Sequence, residues 1–308
     1  MEKLAIFLIK AMLAPFAALP LRVHYFNARW IAALLGSVLG YRRDDVMVNL
    51  SRCFPEKSYD ELRKIKKDFY RHFADLAVEA IWFGGCHNAK RLRKAGLVRL
   101  VNPEILDSVG ATPPGVMVLC SHCGNWEILG GLCNANYCTA AAQAGFPVTE
   151  ESLCVSYLAQ SPVWDRIIRD NRFAPLDASR IEGYMETRSS VRFIMSHREQ
   201  RLFYHMITDQ HPYLKGSGKM TVKFFGRECT TMSAGAALAC KVGIPVLYLR
   251  MSIESRGHYT MEYVPVCTDP AEATPQQIMD RYYSLLEEDI RTQPHNYLWT
   301  HRRWKMIY

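Results

Sequence analysis

The stretch Ser121-His122-Cys123-Gly124-Asn125-Trp126-Glu127 comes directly after the apolar run Val116-Met117-Val118-Leu119-Cys120. Four residues separate His122 from Glu127, and Gly124 permits a tight turn that would bring the two side chains together. A carboxylate beside an imidazole fixes its tautomer and stabilises the imidazolium that forms as the ring takes a proton. Those are the needs of a general base acting on an alcohol. The spacing therefore predicts a catalytic pair, His122 as base and Glu127 as its partner. No serine or cysteine stands in an elbow motif, so the acceptor hydroxyl would itself be the nucleophile. Cys123 is the rival, as a nucleophile forming a covalent intermediate, although neighbours in an extended segment point apart. Against both stands simple packing, because histidines are often satisfied structural groups and a His-x4-Glu spacing is frequent by chance.

Chemistry at these residues requires elements that hold them at an edge. Gly115–Cys120 reads as a buried strand, and 125–137 as the helix after it. Further on, 153–158 reads as a strand, 162–171 and 181–198 as helices, 202–207 and 222–225 as strands, 232–242 as a helix, and 246–253 as a strand. Residues 259–264 come next as an antiparallel edge strand. Such interleaving implies a mixed α/β fold, with a mostly parallel central sheet flanked by helices. Ligands in these folds bind where strands end and helices begin, which is where His122 and Glu127 fall. Residues 58–83 carry Leu62, Ile65, Phe69, Phe73, Leu76 and Ala80 at helical spacing, with Ser58 as cap. The opposite face bears Arg63, Lys64, Lys66, Lys67 and Arg71, either as a solvated face or as a contact for anionic lipid.

The 308-residue chain is 49% hydrophobic and 22% charged, which excludes extended disorder. Its net charge of +8 favours an anionic partner without choosing among nucleic acid, membrane and acidic protein. Nucleic acid is disfavoured, since the basic residues flank apolar elements and no groove-reading motif is present. Residues 4–21 are apolar apart from Lys10, at the short limit for a bilayer span, and Pro15 is expected to kink or end a helix there. We read 1–22 as a membrane anchor, in the interface plane or spanning, in preference to a cleaved signal or a buried helix, and 23–308 as one α/β domain. The ten cysteines are scattered through core segments and read as reduced thiols. Cys120, Cys123, Cys133 and Cys138 invite a zinc reading. It fails on placement, because Cys120 ends a buried strand and the second pair lies inside the predicted helix. No metal is expected.

Taken together, these motifs resemble those of a known family. "HCGNWE" closely resembles the His-x-Gly-Asn-Trp-Glu motif of the lipid A biosynthesis acyltransferases, the late lauroyl and myristoyl transferases of Gram-negative bacteria, in the lysophospholipid acyltransferase-like superfamily. "YRRDDVMVNLSRCFPEKS" at 41–58, "DQ" at 209–210, "VKFFG" at 222–226, "SAGAALACKVGIPV" at 233–246 and "NYLWTHRRWK" at 296–305 resemble the family's remaining blocks in order. The resemblance implies a membrane-anchored enzyme at the cytoplasmic face of the inner membrane. It would transfer a fatty acyl chain from acyl carrier protein to a hydroxyl of a lipid A precursor, with neither metal nor organic cofactor.

By the same resemblance His122 and Glu127 are catalytic, and Asp209 and Gln210 are active-site residues. Amide groups at the start of the 125–137 helix become candidates for an oxyanion site, with Asn125 as side-chain donor or simply as cap. Trp304, Arg302, Arg303 and Lys305 suit a phosphate-rich interface. In one place the sequence departs from the pattern. The family carries a substrate-contacting arginine after the strand at 153–158, and "VSYLAQSPVWD" has none; Arg166 and Arg169 on the next helix are the substitutes, or an exposed helix face. That departure leaves the acceptor open to an amino-lipid, another glycolipid or a polyene. A non-catalytic membrane-surface binding protein is the alternative of another class, disfavoured by the presence of both His122 and Glu127.

Overall fold

The computed structural model describes residues 1–134, 136–137, 148–212 and 220–304. Helices α1 (Glu2–Ala18) and α2 (Leu21–Ala33) form a bent hairpin, succeeded by α3 (Arg43–Cys53), the long α4 (Tyr59–Gly84) and α5 (Ala89–Ala95). Then come β1 (Val98–Leu100), α6 (Ile105–Val109), β2 (Gly115–Cys120), a 3₁₀ segment at Trp126–Asn134, β3 (Asn136–Tyr137) and β4 (Leu153–Tyr157). The chain continues through α7 (Pro162–Arg172), β5 (Tyr184–Glu186), α8 (Ser190–Ser196), β6 (Leu202–Ile207), β7 (Met220–Phe224) and β8 (Arg227–Thr231). It ends with α9 (Ala234–Val242), β9 (Val246–Ser255), β10 (His258–Cys267) and α10 (Pro275–Thr292).

Among the described residues, eight strands form the central sheet in the order β3-β1-β10-β9-β2-β6-β4-β5, and its only antiparallel pair is β9 with β10. All six residues of β2 are buried, as expected of a strand covered on both faces. One core packs α3, α4, α9 and α10 against Met117, Leu119, Tyr204 and Tyr248; the other covers Val116, Val118, Phe203 and Leu247. The fold is thus mixed α/β with flanking helices, as the alternation of patterns implies.

Four local expectations need correction. Residues 125–137 do not form an α-helix: the 3₁₀ segment is kinked at Ile128, and Gly130 lies where a Cβ would fall 2.0 Å from the Arg172 carbonyl oxygen. Residues 181–198 divide into β5 and α8, because Gly183 lets the backbone close on Leu153 and Cys154 and pair as a strand. The strand at 222–225 lies outside the central sheet. It is β7, which forms a separate hairpin with β8 through Phe225 and Gly226, both at positive φ. Finally, β10 is interior rather than an edge, since β1 pairs with its far side.

At the N-terminus α1 runs through Pro15 and ends at Ala18. The break falls instead at Leu19, held extended before Pro20, a residue that disfavours helical geometry in the one preceding it. Arg91 caps this corner, donating to the carbonyls of Gly85 and Ala17. No single helix among the described residues is long and apolar enough to cross a membrane. Glu2–Ala18 with Leu21–Val38 reaches that length and composition only as a pair bent by 111°.

Candidate active site

Strand register brings the site together. β2 pairs in parallel with β6, Cys120 opposite Ile207, and the ladder runs one step further through the Thr208 amide donating to the Cys120 carbonyl. Two residues beyond the last pair, His122 and Asp209 leave the carboxyl edge side by side. Asp209 Oδ1 accepts from His122 Nδ1 at 2.7 Å, and Oδ2 accepts from the His122 backbone N–H at 3.1 Å. Burial of Asp209 opposes its charged form, but the neighbouring imidazole and both hydrogen bonds outweigh that and hold its carboxyl below the usual carboxylate range. With Nδ1–H committed to Asp209, the lone pair of the neutral ring sits on Nε2. The Gln210 side-chain amide donates there at 3.1 Å.

The expected pairing of His122 with Glu127 is not formed. Glu127 instead accepts a two-pronged ion pair from Arg172, whose Nε and Nη2 each lie 2.8 Å from a carboxylate oxygen. Burial again disfavours the Glu127 anion, and Arg172 overrides it, leaving the carboxyl below its ordinary range. The reason is geometric: the turn at Gly124 and the 3₁₀ segment carry Glu127 toward the end of α7, while β6 has already delivered a carboxylate to His122. Arg172 is not among the cations expected at the site. The candidates Arg166 and Arg169 lie earlier on the same helix, and neither lines the cavity. Arg166 shares Asp170 with Lys10, tying α7 to α1.

His122, Glu127, Arg172 and Gln210 open on a cavity of about 690 Å³. Its walls come from the ends of β4 and β6, including Tyr157, Leu158 and Ile207, and from the amino end of α9 at Ser233, Ala234, Gly235 and Ala237. The rings of Tyr157 and Tyr184 stack 4.1 Å apart in its wall, and Trp126 packs edge-on against His122 at 4.9 Å. This space is large and apolar enough for a lipid-like chain, with polar groups gathered at one place.

Asn125 does not reach the cavity. It is buried, with Nδ2 donating to Glu79 and Oδ1 accepting from the Glu127 amide. Three amides of this turn are already engaged: Gly124 donates to Asn296, Asn125 to the Met251 sulfur, and Glu127 to Asn125. Cys123 is buried, and burial raises its thiol well above the ordinary value, which removes the covalent rival. Cys120 and Cys133 are likewise buried, Cys138 lies outside the described residues, and no three potential ligands gather around a metal site among those described.

Comparison with known families bears on this arrangement. Residues 1–306 match the family described as bacterial lipid A biosynthesis acyltransferase. The chain belongs to that family. It is therefore an enzyme, and its reaction is of the acyltransferase type, which sets aside the non-catalytic alternative. No individual curated protein matches the chain.

Two other motif blocks of this acyltransferase, at 41–58 and 296–305, converge as a brace beneath His122. The Leu298 amide donates to the His122 carbonyl, and Asn296 Oδ1 accepts from Gly124 at 2.7 Å. Asn49, from the block at 41–58, donates to the Trp299 and His301 carbonyls, both at 2.8 Å. The C-terminal signature is thus part of the scaffold. Arg303 is buried, donating to the Thr230 carbonyl and the Tyr283 hydroxyl, and Trp304 stacks on Phe224. Neither supports the expected role at a phosphate-rich interface. Arg302 is exposed and pairs with Asp45, and Lys305 lies outside the described residues.

Proposed function

We propose that this acyltransferase moves a fatty acyl chain from acyl carrier protein to a hydroxyl of a lipid A precursor, with His122 as general base and Asp209 as the group that orients it. The observation that carries the reading is the 2.7 Å contact of His122 Nδ1 with a buried carboxylate, on the wall of a lipid-sized cavity. In the forward step the acceptor hydroxyl displaces the Gln210 amide from Nε2. The hydroxyl oxygen then attacks the thioester carbonyl as its proton passes to Nε2. Collapse of the tetrahedral species breaks the carbon–sulfur bond, and the imidazolium returns the proton to the departing thiolate. Asp209 stays ionised and stabilises the imidazolium. The amino end of α9, whose first-turn N–H groups have no acceptor within the helix, supplies positive potential for the oxyanion. Glu127 and Arg172 form the polar wall that positions the acceptor.

An acceptor other than a phosphorylated glycolipid is the second reading. Arg172 is the only lysine or arginine among the described lining residues, and its fork is already committed to Glu127. A phosphate would have to compete for it. The place of work is a membrane surface, supported by the outward-facing Phe7, Leu8, Met12 and Phe16 of α1 and Phe26 and Trp30 of α2. Residues 1–22 would serve as the anchor and the remainder as the catalytic domain, at the cytoplasmic face of the inner membrane, where acyl carrier protein is present.

The test is transfer from labelled acyl carrier protein into a total lipid extract, with wild type and His122→Ala in parallel and products identified by mass. A labelled lipid A precursor from wild type alone is the expected result. A different labelled lipid moves the acceptor to the second reading. Near-wild-type turnover by His122→Ala contradicts the mechanism.

A further inference from the structure

Glu79 is a fully buried carboxylate near the carboxyl end of α4, and acyl transfer through His122 makes no direct use of it. It accepts three hydrogen bonds: from the Tyr25 hydroxyl on Oε1 at 2.8 Å, and on Oε2 from the Tyr259 hydroxyl at 2.7 Å and Asn125 Nδ2 at 2.9 Å. Among the described residues no cation contacts it in compensation. The Arg256 guanidinium nearby is committed to Asp75. Burial accordingly pushes the Glu79 carboxyl up to about 7, against the pull of its three donors. A buried acid kept at that cost is expected to hold something specific in place.

Glu79 holds the junction of two distant parts of the chain. Tyr25 belongs to α2, in the N-terminal hairpin, and sits in a fitted seat. The Arg256 guanidinium lies 4.5 Å over its ring and donates to its backbone carbonyl. Gly257 leaves its hydroxyl room that a Cβ would take, at 2.1 Å. On the other side of the carboxylate, Asn125 stands between His122 and Glu127 in sequence, and its Oδ1 fixes the Glu127 amide. The same carboxyl group thus touches the hairpin and the catalytic turn.

We propose that Glu79 is a positioning residue for acyl transfer, holding the His122–Glu127 turn in its productive geometry only while Tyr25, and with it the N-terminal hairpin, is seated. The catalytic part rests on the His122 reading; the mechanical coupling does not. Small displacements of a catalytic group are enough to matter, since a misplacement of about 1 Å costs on the order of 10²-fold in rate.

The experiment uses the full chain in detergent, with Tyr25→Phe, Glu79→Gln and the double variant, and reads both acyl-transfer kinetics and amide hydrogen exchange across 122–127. Tyr25→Phe keeps the ring in its seat and removes only the hydroxyl. It is expected to lower kcat about tenfold with KM changed less than about twofold, and to speed exchange across 122–127 by about tenfold. Glu79→Gln should do the same or more, and adding Tyr25→Phe to it should cost nothing further, since both act through one group. Unchanged exchange across 122–127 in Tyr25→Phe overturns the proposal, as do effects that simply add. Should Glu79→Gln fail to fold, Tyr25→Phe decides alone. Should no substrate be turned over, the exchange measurement still reads the coupling, so its failure and that of the catalytic reading remain separate.

Discussion

At the scale of residues, chemistry is legible from type and place, and partnership is not. Val116–Cys120 announces a buried strand, and the turn leaving such a strand stands at a sheet edge, so His122 can be located from sequence. Its partner cannot. Asp209 lies 87 residues away, and only the β2–β6 register makes the two neighbours. The same blindness hides Arg172: sequence points to Arg166 and Arg169 along α7 for the missing cation, and the residue that arrives is at the helix end. The contacts of the two carboxylates also set a pH dependence. Asp209 and Glu127 both have folded values below their unfolded ones. Each therefore contributes stability that is complete above the ordinary carboxylate range of about pH 4, and is lost as pH falls through the depressed folded value. Urea unfolding should show stability falling as pH drops below about 4, and less steeply in Asp209→Asn. Parallel curves for the two proteins would contradict the assignment.

At the scale of elements, periodicity and caps carry most of the information. Ser58 caps α4, as its sequence promises, and Glu61 completes a reciprocal box. The failures lie where backbone approach overrides local preference, at Gly130 against Arg172 and at Gly183 against Cys154. The C-terminal signature misleads for another reason, since Arg303 and Trp304 look like interface residues by type, yet Arg303 is buried on Tyr283 and the half-buried Trp304 stacks on Phe224. This makes the brace under His122 a matter of stability as well as activity. Asn49→Ala should remove its two hydrogen bonds to the Trp299 and His301 carbonyls and destabilise by roughly 1–3 kcal/mol, measured by denaturant unfolding. A variant as stable as wild type would mean that the Asn49 link does not support the segment.

At the scale of the whole molecule, an apolar hairpin and a charge of +8 sit on a domain whose catalytic edge is reached from that hairpin through α4 and α7. The apolar run at 4–21 is plain in the sequence, whereas its 111° bend and its seat on α4 are not, because both depend on contacts with Arg91, Asp170 and Glu79. Binding to anionic phospholipid vesicles should weaken about tenfold or more when Phe26 and Trp30 are both changed to serine, and weaken further with added salt. Unchanged binding would place the membrane contact elsewhere. The central claim is that Asp209, not Glu127, orients His122. The measurement that tests it most directly is kcat for acyl transfer by Asp209→Asn and Glu127→Gln side by side, each with KM. The account predicts that Asp209→Asn loses about 10²–10⁴ in kcat, as expected when an imidazole is left in the wrong tautomer, while Glu127→Gln acts mainly through KM. Wild-type kcat in Asp209→Asn with collapse in Glu127→Gln would contradict it and return the pairing to Glu127.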